Sequence, residues 1–544
     1  MVTGIQLLRE HRHEELWNKY CGFLDLNLAG FMEIQRHLLL EQLELLRGCE
    51  LGRSVMNGTQ PKTVDEFRSQ VPLTTYRDYA PYFEQGKQDM LPAEPVLWQR
   101  TSGIWGEYES KWAPMTARMY EEVRSVLFAG LILATCKRKY DINLDDEPNI
   151  LYAMAPPPYA TGCWARMANQ ELPLRFLPSQ SEAESMTFEA RLHEGFRLAM
   201  ADGLDVVFGL PSVLVAMGEQ LANNGHVWNP MRQITHPRLL WRMAKGLVKS
   251  KIARRSLLPK DLWKLRGVAI GGADSSSYRQ KIREMWGEDP LDGYGCTEGQ
   301  IIATQAWDRN GMTFVPNLNF LEFIPENELS KERAYSGYQP KTCLLDEVRA
   351  DGKYEVVITN LLGGAFVRYR LGDIIKFIAT ENHELGINLP QMIFYARADG
   401  FIDLAGFTRL TENMIEQAMK QAGLNCLHWV ARGEGVEKPC LHLYIELETP
   451  NATHERTDTS EIETKIHHEL KQLHPPYANL EEMLHLRPIR VTCLPQNSFR
   501  DFVRQNGHGG NGLGNTKVAK LNPPDSVIES LMHKAHFQVP LSHN

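Results

Sequence analysis

Between residues 145 and 330, short apolar runs alternate with stretches of helical spacing, and this alternation limits the chain more than any other feature. The runs 150–155 (ILYAMA), 206–210 (VVFGL) and 267–272 (GVAIGG) are continuously apolar, as strands covered on both faces must be. Residues 183–200 and 277–286 between them read as helices. The pattern predicts α/β layers around a mostly parallel sheet.

From 314 to 377 the texture changes. FLEFIP, EVVITN and IIKFIA read as strands, and Asp351-Gly352 and Gly363-Gly364 as turns, which predicts a β-rich subdomain. Residues 1–60 read as a helix pair covering the domain, with Phe31, Ile34, Leu38 and Leu45 on one face and Gln35, Arg36 and Glu44 elsewhere. Around 396–406 (ARADGFIDLAG) glycines and charges interrupt the pattern, and a domain boundary is expected there. The expected division is a large domain over 1–398 and a small α+β domain over 399–544. Residues 506–515 read as a Gly-rich flexible loop.

Composition narrows the function classes. With 544 residues, 43% hydrophobic and 23% charged, the chain can bury a deep core, and widespread disorder or a coiled coil is a poor reading. A net charge of −8 gives no global attraction for nucleic acid or anionic membrane, so neither is an expected partner. The longest apolar run, 125–136, is shorter than the ~20 residues of a membrane span. The N-terminus lacks the apolar core of a secretory signal. Nine cysteines without a C-x-x-C pair fit reduced thiols in the cytoplasm, where the chain is expected as a monomer.

Five segments carry candidate chemistry. Thr101-Ser102-Gly103-Ile104-Trp105-Gly106, followed by Lys111, is a small-residue turn whose amides could approach a phosphate, or an ordinary turn. Gly271-Gly272-Ala273 ends one strand. Gly293-Tyr294-Gly295-Cys296-Thr297-Glu298 ends the next, in an aromatic face, a hydroxyl and a carboxylate whose hard oxygens suit magnesium. In Arg368-Tyr369-Arg370-Leu371-Gly372-Asp373, the aspartate could accept two ribose hydroxyls or form a surface salt bridge. Arg397-Ala398-Asp399-Gly400 stands at the proposed boundary. Lys517 lies beyond the glycine loop, where a mobile segment could deliver a positive charge.

In this order the five segments resemble the adenylate-forming enzyme superfamily. FRSQVPLTTYRDYAPYF (67–83), FGLPSVLVAM (208–217), FLEFIP (320–325) and the tail SFRDFV…GNTKVAKL narrow the resemblance to the auxin-responsive acyl-acid amido synthetases, the Gretchen Hagen family, in a short bacterial-type form. It extends from about residue 50 to 522. The resemblance implies a large α/β adenylate-forming domain with mixed sheets and a small mobile α+β lid. It implies a ligase that adenylates a carboxylic acid with ATP and magnesium, then transfers the acyl group to an amino acid. Carried over by motif, Thr101, Ser102 and Gly103 belong to the phosphate loop, and Gly271, Gly272 and Ala273 line the adenine. Tyr294 stacks on the base beside Gly295. Thr297 meets the α-phosphate, Glu298 binds magnesium, Asp373 and Arg397 hold the ribose, and Lys517 is the catalytic lysine. Ile104 and Trp105 stand where the family has hydroxyl residues, and Ala519-Lys520 follow Lys517 where it has Pro-Arg. An acyl-CoA ligase and a degenerate nucleotide-binding relative remain as alternatives.

Overall fold

A computed structural model describes residues 2–84, 88–101, 111–223, 237–271, 278–335, 337–397, 401–404, 408–424, 426–435, 439–447, 459–484, 487–496, 498–499, 502, 520–523 and 525–532. These residues divide into two compact units, one of described residues up to Arg397 and one from Phe401 onward.

The first unit is built on an eleven-stranded sheet. In chain order a hairpin comes first, β1 (Pro95–Arg100) and β2 (Trp112–Thr116). The large sheet then takes β3 (Asn149–Tyr152), β4 (Arg175–Leu177), β5 (Val206–Gly209), β6 (Gly267–Gly271), β7 (Leu291–Cys296), β8 (Gln300–Gln305), β9 (Met312–Phe314), β10 (Asn319–Pro325), β11 (Lys353–Asn360), β12 (Tyr369–Ala379) and β13 (Gln391–Arg397). Their spatial order is β10-β11-β12-β13-β9-β8-β7-β6-β5-β3-β4. Strands β4 to β7 and β3 pair in parallel, and every other neighbour pair is antiparallel. The alternating stretch thus supplies the parallel strands β3 to β7, but its last part, β8 to β10, joins the turn-rich stretch in antiparallel pairing. Parallel pairing gives way to antiparallel at β7 against β8, and within the antiparallel part β9 meets β13 through a single register pair, Met312 with Met392.

Helices cover the sheet. Helix α1 (Leu28–Gly48) starts where the Asn27 side chain accepts from the Gly30 amide. Its buried face is Phe31, Met32, Gln35, Leu39, Gln42, Leu43 and Leu46, which corrects the expected face: Ile34, Leu38 and Leu45 are only half-buried. The reason is polar. Gln35 accepts from the Leu321 amide and donates to the Asn319 carbonyl, and Gln42 spans the Gly363 amide and Gly364 carbonyl. The amides thus pair backbone groups that would otherwise be buried unsatisfied. Helix α2 (Ala117–Thr135) contains the longest apolar run and packs on the sheet. Helix α3 (Ala160–Glu171) lies beside it. The helix expected over 183–200 is two, Gln180–Ser185 and Phe188–Asp202, because Thr187 caps the second through the Ala190 amide.

The second unit holds a hairpin, Phe401–Leu404 with Thr408–Thr411, and a three-stranded sheet of Cys426–Glu434, Cys440–Leu447 and Ile489–Cys493. Helices Glu412–Gln421 and Thr459–Leu473 close its core around Ile415, Leu443 and Ile466. Among the described residues no helix is long and apolar enough to cross a membrane.

Candidate functional site

The site is set by the tight β7–β8 hairpin. A Cβ at Gly295 would stand 2.3 Å from the Gln300 carbonyl, so only glycine lets the strands approach here. Gln300 itself has φ of 58° and is buried, and its side chain does three jobs. It donates to the Thr297 carbonyl at 2.6 Å and to Gln99 at 2.7 Å, and accepts from the Trp164 indole at 2.9 Å. Asn360 donates to the Glu298 carbonyl and Asn319 to the Gly299 carbonyl. The turn that carries Thr297 and Glu298 is therefore held by side chains from three other strands.

Glu298 is buried, and two donors converge on its Oε1. The Lys111 ammonium stands 3.1 Å away and the Tyr369 hydroxyl 3.2 Å, with Lys111 also donating to Tyr369 at 2.7 Å. The Lys111 ammonium lies 5.5 Å from the ring centre of Tyr76, whose hydroxyl accepts the Trp112 amide. Burial alone would raise the Glu298 pKa. The Lys111 charge, with backbone and side-chain hydrogen bonds, outweighs it and holds the carboxyl below its ordinary value. Burial and the Glu298 charge push the Tyr369 phenol up, so it remains a donor. Thr101 and Lys111 are locked together, the Thr101 amide donating to the Lys111 carbonyl and Thr101 Oγ1 accepting the Lys111 amide, both at 2.9 Å.

A second cluster adjoins on the same strand. Tyr294, 7% exposed, donates its hydroxyl to Asp373 Oδ2 at 2.8 Å, and Arg397 forms an ion pair with Asp373 Oδ1. Asp373 and Arg397 are register partners on β12 and β13. Burial first, then the Asp373 charge, raises the Tyr294 pKa far above normal. Each aspartate oxygen keeps a further lone pair for another donor. Gly271 faces Gly293 across β6 and β7. A Cβ on either would meet no atom closer than 3.5 Å, so there is room beside this stretch of sheet.

A cavity of about 120 Å³ lies between the parallel strands and helices α2 and α3. Met154, Trp164, Phe176, Phe208, Gly130 and Gly293 are among its walls. Gly130 sits in mid-helix, where glycine costs roughly 1 kcal/mol against alanine, and a Cβ there would meet nothing within 4 Å. Trp112 and Tyr159 are not among the cavity's walls.

The structure thus brings Tyr294, Asp373 and Arg397 together, and sets Glu298 and Thr297 in the adjoining turn beside Thr101. Ser102, Gly103, Ile104, Trp105, Gly272, Ala273 and Lys517 lie outside the described residues. Lys520, the nearest lysine to Lys517, is engaged with Glu412 at 2.8 Å and Glu416 at 3.5 Å and lies over the Trp429 ring. The sequence reading missed Tyr369, Asn319, Asn360 and the pairing of Lys111. For Asn319 and Asn360 the available signal was a polar residue beside apolar runs, which must find a buried partner.

Against known proteins, the model of the GH3 family N-terminal domain matches residues 24–163 and that of the GH3 family central domain residues 312–397. The jasmonoyl–L-amino acid synthetase JAR4 of Nicotiana attenuata is 30% identical over 162 residues, 29% of this chain and 26% of that protein. The indole-3-acetic acid-amido synthetase GH3.3 of Arabidopsis thaliana is 22% identical over 244 residues, 42% of this chain and 38% of that one. The matched stretches therefore span well under half the length of these relatives. Two solved structures share the fold over nearly the whole chain. AtGH3.15 acyl acid amido synthetase in complex with 2,4-DB has a TM-score of 0.50 and 15% identity, covering 94% of this chain and 95% of that chain. A 2-hydroxyisobutyryl-CoA ligase with 2-HIB-AMP and CoA has a TM-score of 0.52 and 13% identity, covering 93% and 91%.

Proposed function

Because the chain belongs to the GH3 family, we propose that it is an ATP-dependent acyl-acid amido synthetase. The observation that carries this reading is the adjacency of two buried clusters, Tyr294–Asp373–Arg397 and Lys111–Glu298–Tyr369, on strand β7 and its turn. Ligands of α/β sheets bind at the carboxyl ends of parallel strands, where both lie.

In this reading Thr101, Ser102 and Gly103 cradle phosphates, and Gly271, Gly272 and Ala273 leave a flat gap for adenine beside Tyr294. Asp373 and Arg397 bind the ribose through the aspartate's remaining lone pairs. The acid carboxylate attacks the α-phosphate of ATP, pyrophosphate leaves, and an amino-acid amine then displaces AMP. Thr297 donates to the α-phosphate. A single carboxylate such as Glu298 suits magnesium, which takes few protein ligands beside substrate phosphates and water. When bound, the ion would offset repulsion between the two reacting anions. Lys517 supplies a second positive charge during adenylation. At ~4 Å a unit pair is worth about 4 kcal/mol at an effective dielectric of 20, enough to change a rate by orders of magnitude. The cavity near Gly293 takes the apolar body of the acid. A cavity of about 150 Å³ admits benzene, so the body is about one six-membered ring in size.

A screen of carboxylic acids by pyrophosphate release, followed by mass spectrometry with pooled amino acids, tests the proposal. Acid-dependent pyrophosphate release with amide products supports it. Release followed by thioester formation with CoA alone makes the chain an acyl-CoA ligase. No release with any acid removes the enzymatic reading.

A further inference from the structure

One surface helix is built the wrong way out. Helix α4 (Pro237–Ile252) sits on the first unit through its small residues: Gly246 and Ser250 are buried, and a Cβ on Gly246 would meet Leu262 at 2.7 Å. Arg242 ties the same side down through the Ala199 carbonyl at 2.9 Å. Its large apolar residues face outward. Trp241 is 72% exposed and Ile252 78%, with Leu240, Leu247 and Val248 also exposed. At 3.6 residues per turn these five share one arc of about 140°. A helix at rest on a soluble domain shows the reverse arrangement.

The charge beside this arc is uniform. Between Glu219 and Asp261 the sequence has nine Lys or Arg and no Asp or Glu, in a chain of net charge −8. Arg238, Lys245 and Lys249 form a stripe along one flank of the apolar arc, Lys251 lies within it, and Arg254 follows the helix. All five are exposed, and none is in an ion pair among the described residues.

We propose that α4 docks the protein on an anionic lipid surface, with the apolar arc in the headgroup–acyl boundary and the basic stripe against lipid phosphates and carboxylates. An outward apolar arc flanked by lysines is the pattern of helices that lie in the bilayer interface. Lysine stems can lie along the apolar face while their ammonium groups reach the headgroups. Other occupants fit worse. Nucleic acid matches the charge but gives the apolar arc nothing to bury. A protein that encloses an amphipathic helix needs both its faces, and one face of α4 is seated on Leu262. A second copy docked through the same face would bring its lysine stripe against this one. The expectation of no membrane partner rested on net charge, which averages away this segregation.

Sedimentation of the full-length protein with vesicles tests the proposal, using phosphatidylcholine alone and with about one third phosphatidylserine. The protein is expected to bind the anionic vesicles and to leave them as salt rises. The Trp241→Ser, Ile252→Ser double variant and the Lys245→Glu, Lys249→Glu double variant should each lower the partition constant by about tenfold or more. These residues are exposed, and an unchanged thermal melt verifies folding in each variant. Wild type that stays in solution with anionic vesicles at low salt overturns the proposal, and so does equal binding by the charge-reversal variant. A dimer seen by light scattering and split by the Trp241 variant also overturns it, since a second copy would then cover the face.

Discussion

Two buried ion pairs in the first unit have nearly equal exposure and opposite characters. Arg368 and Glu322 meet through two parallel hydrogen bonds of 3.0 and 2.8 Å. The remaining guanidinium donors reach the carbonyls of Arg68 and Val71 and the Thr342 hydroxyl, which itself donates to Glu322. Every strong donor there is used inside the protein. Lys111 and Glu298 are as deeply placed, yet both side-chain donors to Glu298 converge on Oε1, and no other described side chain donates to Oε2. Burial alone thus does not separate a pair whose partners are all used from one with capacity to spare. The difference lies in whether the carboxylate's hydrogen-bonding capacity is exhausted at home.

That distinction can be tested. The largest effect expected is on stability: Arg368→Ala strands Glu322 in the core and should cost about 3–5 kcal/mol in denaturant unfolding. A loss below 1 kcal/mol would mean that the Glu322 network does not hold the fold. Next, Glu298→Gln should lower acid-dependent pyrophosphate release about 10²-fold or more. It should also destabilise less than Arg368→Ala, because glutamine still accepts from Lys111 and Tyr369. Normal turnover with a melt as low as that of Arg368→Ala would make both pairs structural. Asp373→Ala should weaken ATP binding, each lost charge-assisted hydrogen bond being worth about 1.5–3 kcal/mol, and calorimetry that finds unchanged affinity contradicts the ribose role. The smallest effect is a pH response. Since the Glu298 pKa is depressed from 4.5, the pair's contribution is fully present above that value and falls away as pH drops through the lower folded pKa. The stability difference between wild type and Glu298→Gln should therefore stay flat from about pH 6 to 8 and narrow only in acid.

What the sequence made legible followed local rules. Continuous apolar runs announced β3, β5 and β6, because strands covered on both faces tolerate little else. Tyr294, Asp373 and Arg397 could be singled out by motif, and they do meet. What stayed hidden was non-local. No spacing rule pairs Lys111 with Glu298, 187 positions apart, or says that Arg368, inside the same motif as Asp373, would serve the core instead. Amphipathicity also left a sign undetermined. In α1 the polar Gln35 and Gln42 face inward because backbone groups need them. In α4 the large apolar residues face outward while the small Gly246 and Ser250 fill the seat. Periodicity locates a helix and its stripe, but the neighbouring surface decides which way the stripe turns.

The single Met312–Met392 pairing has a mechanical consequence. From β7 to β12 there are four strand steps, which in a flat sheet would separate them by about 19 Å, yet the Tyr294 hydroxyl and Asp373 are 2.8 Å apart. The sheet therefore bends between these strands, with the buried Met312–Met392 pair among the steps between them, and the Tyr294–Asp373 hydrogen bond works as a clasp across the bend. A bulkier or smaller side chain at Met312 or Met392 is expected to change the distance across the clasp without altering Tyr294, Asp373 or Arg397.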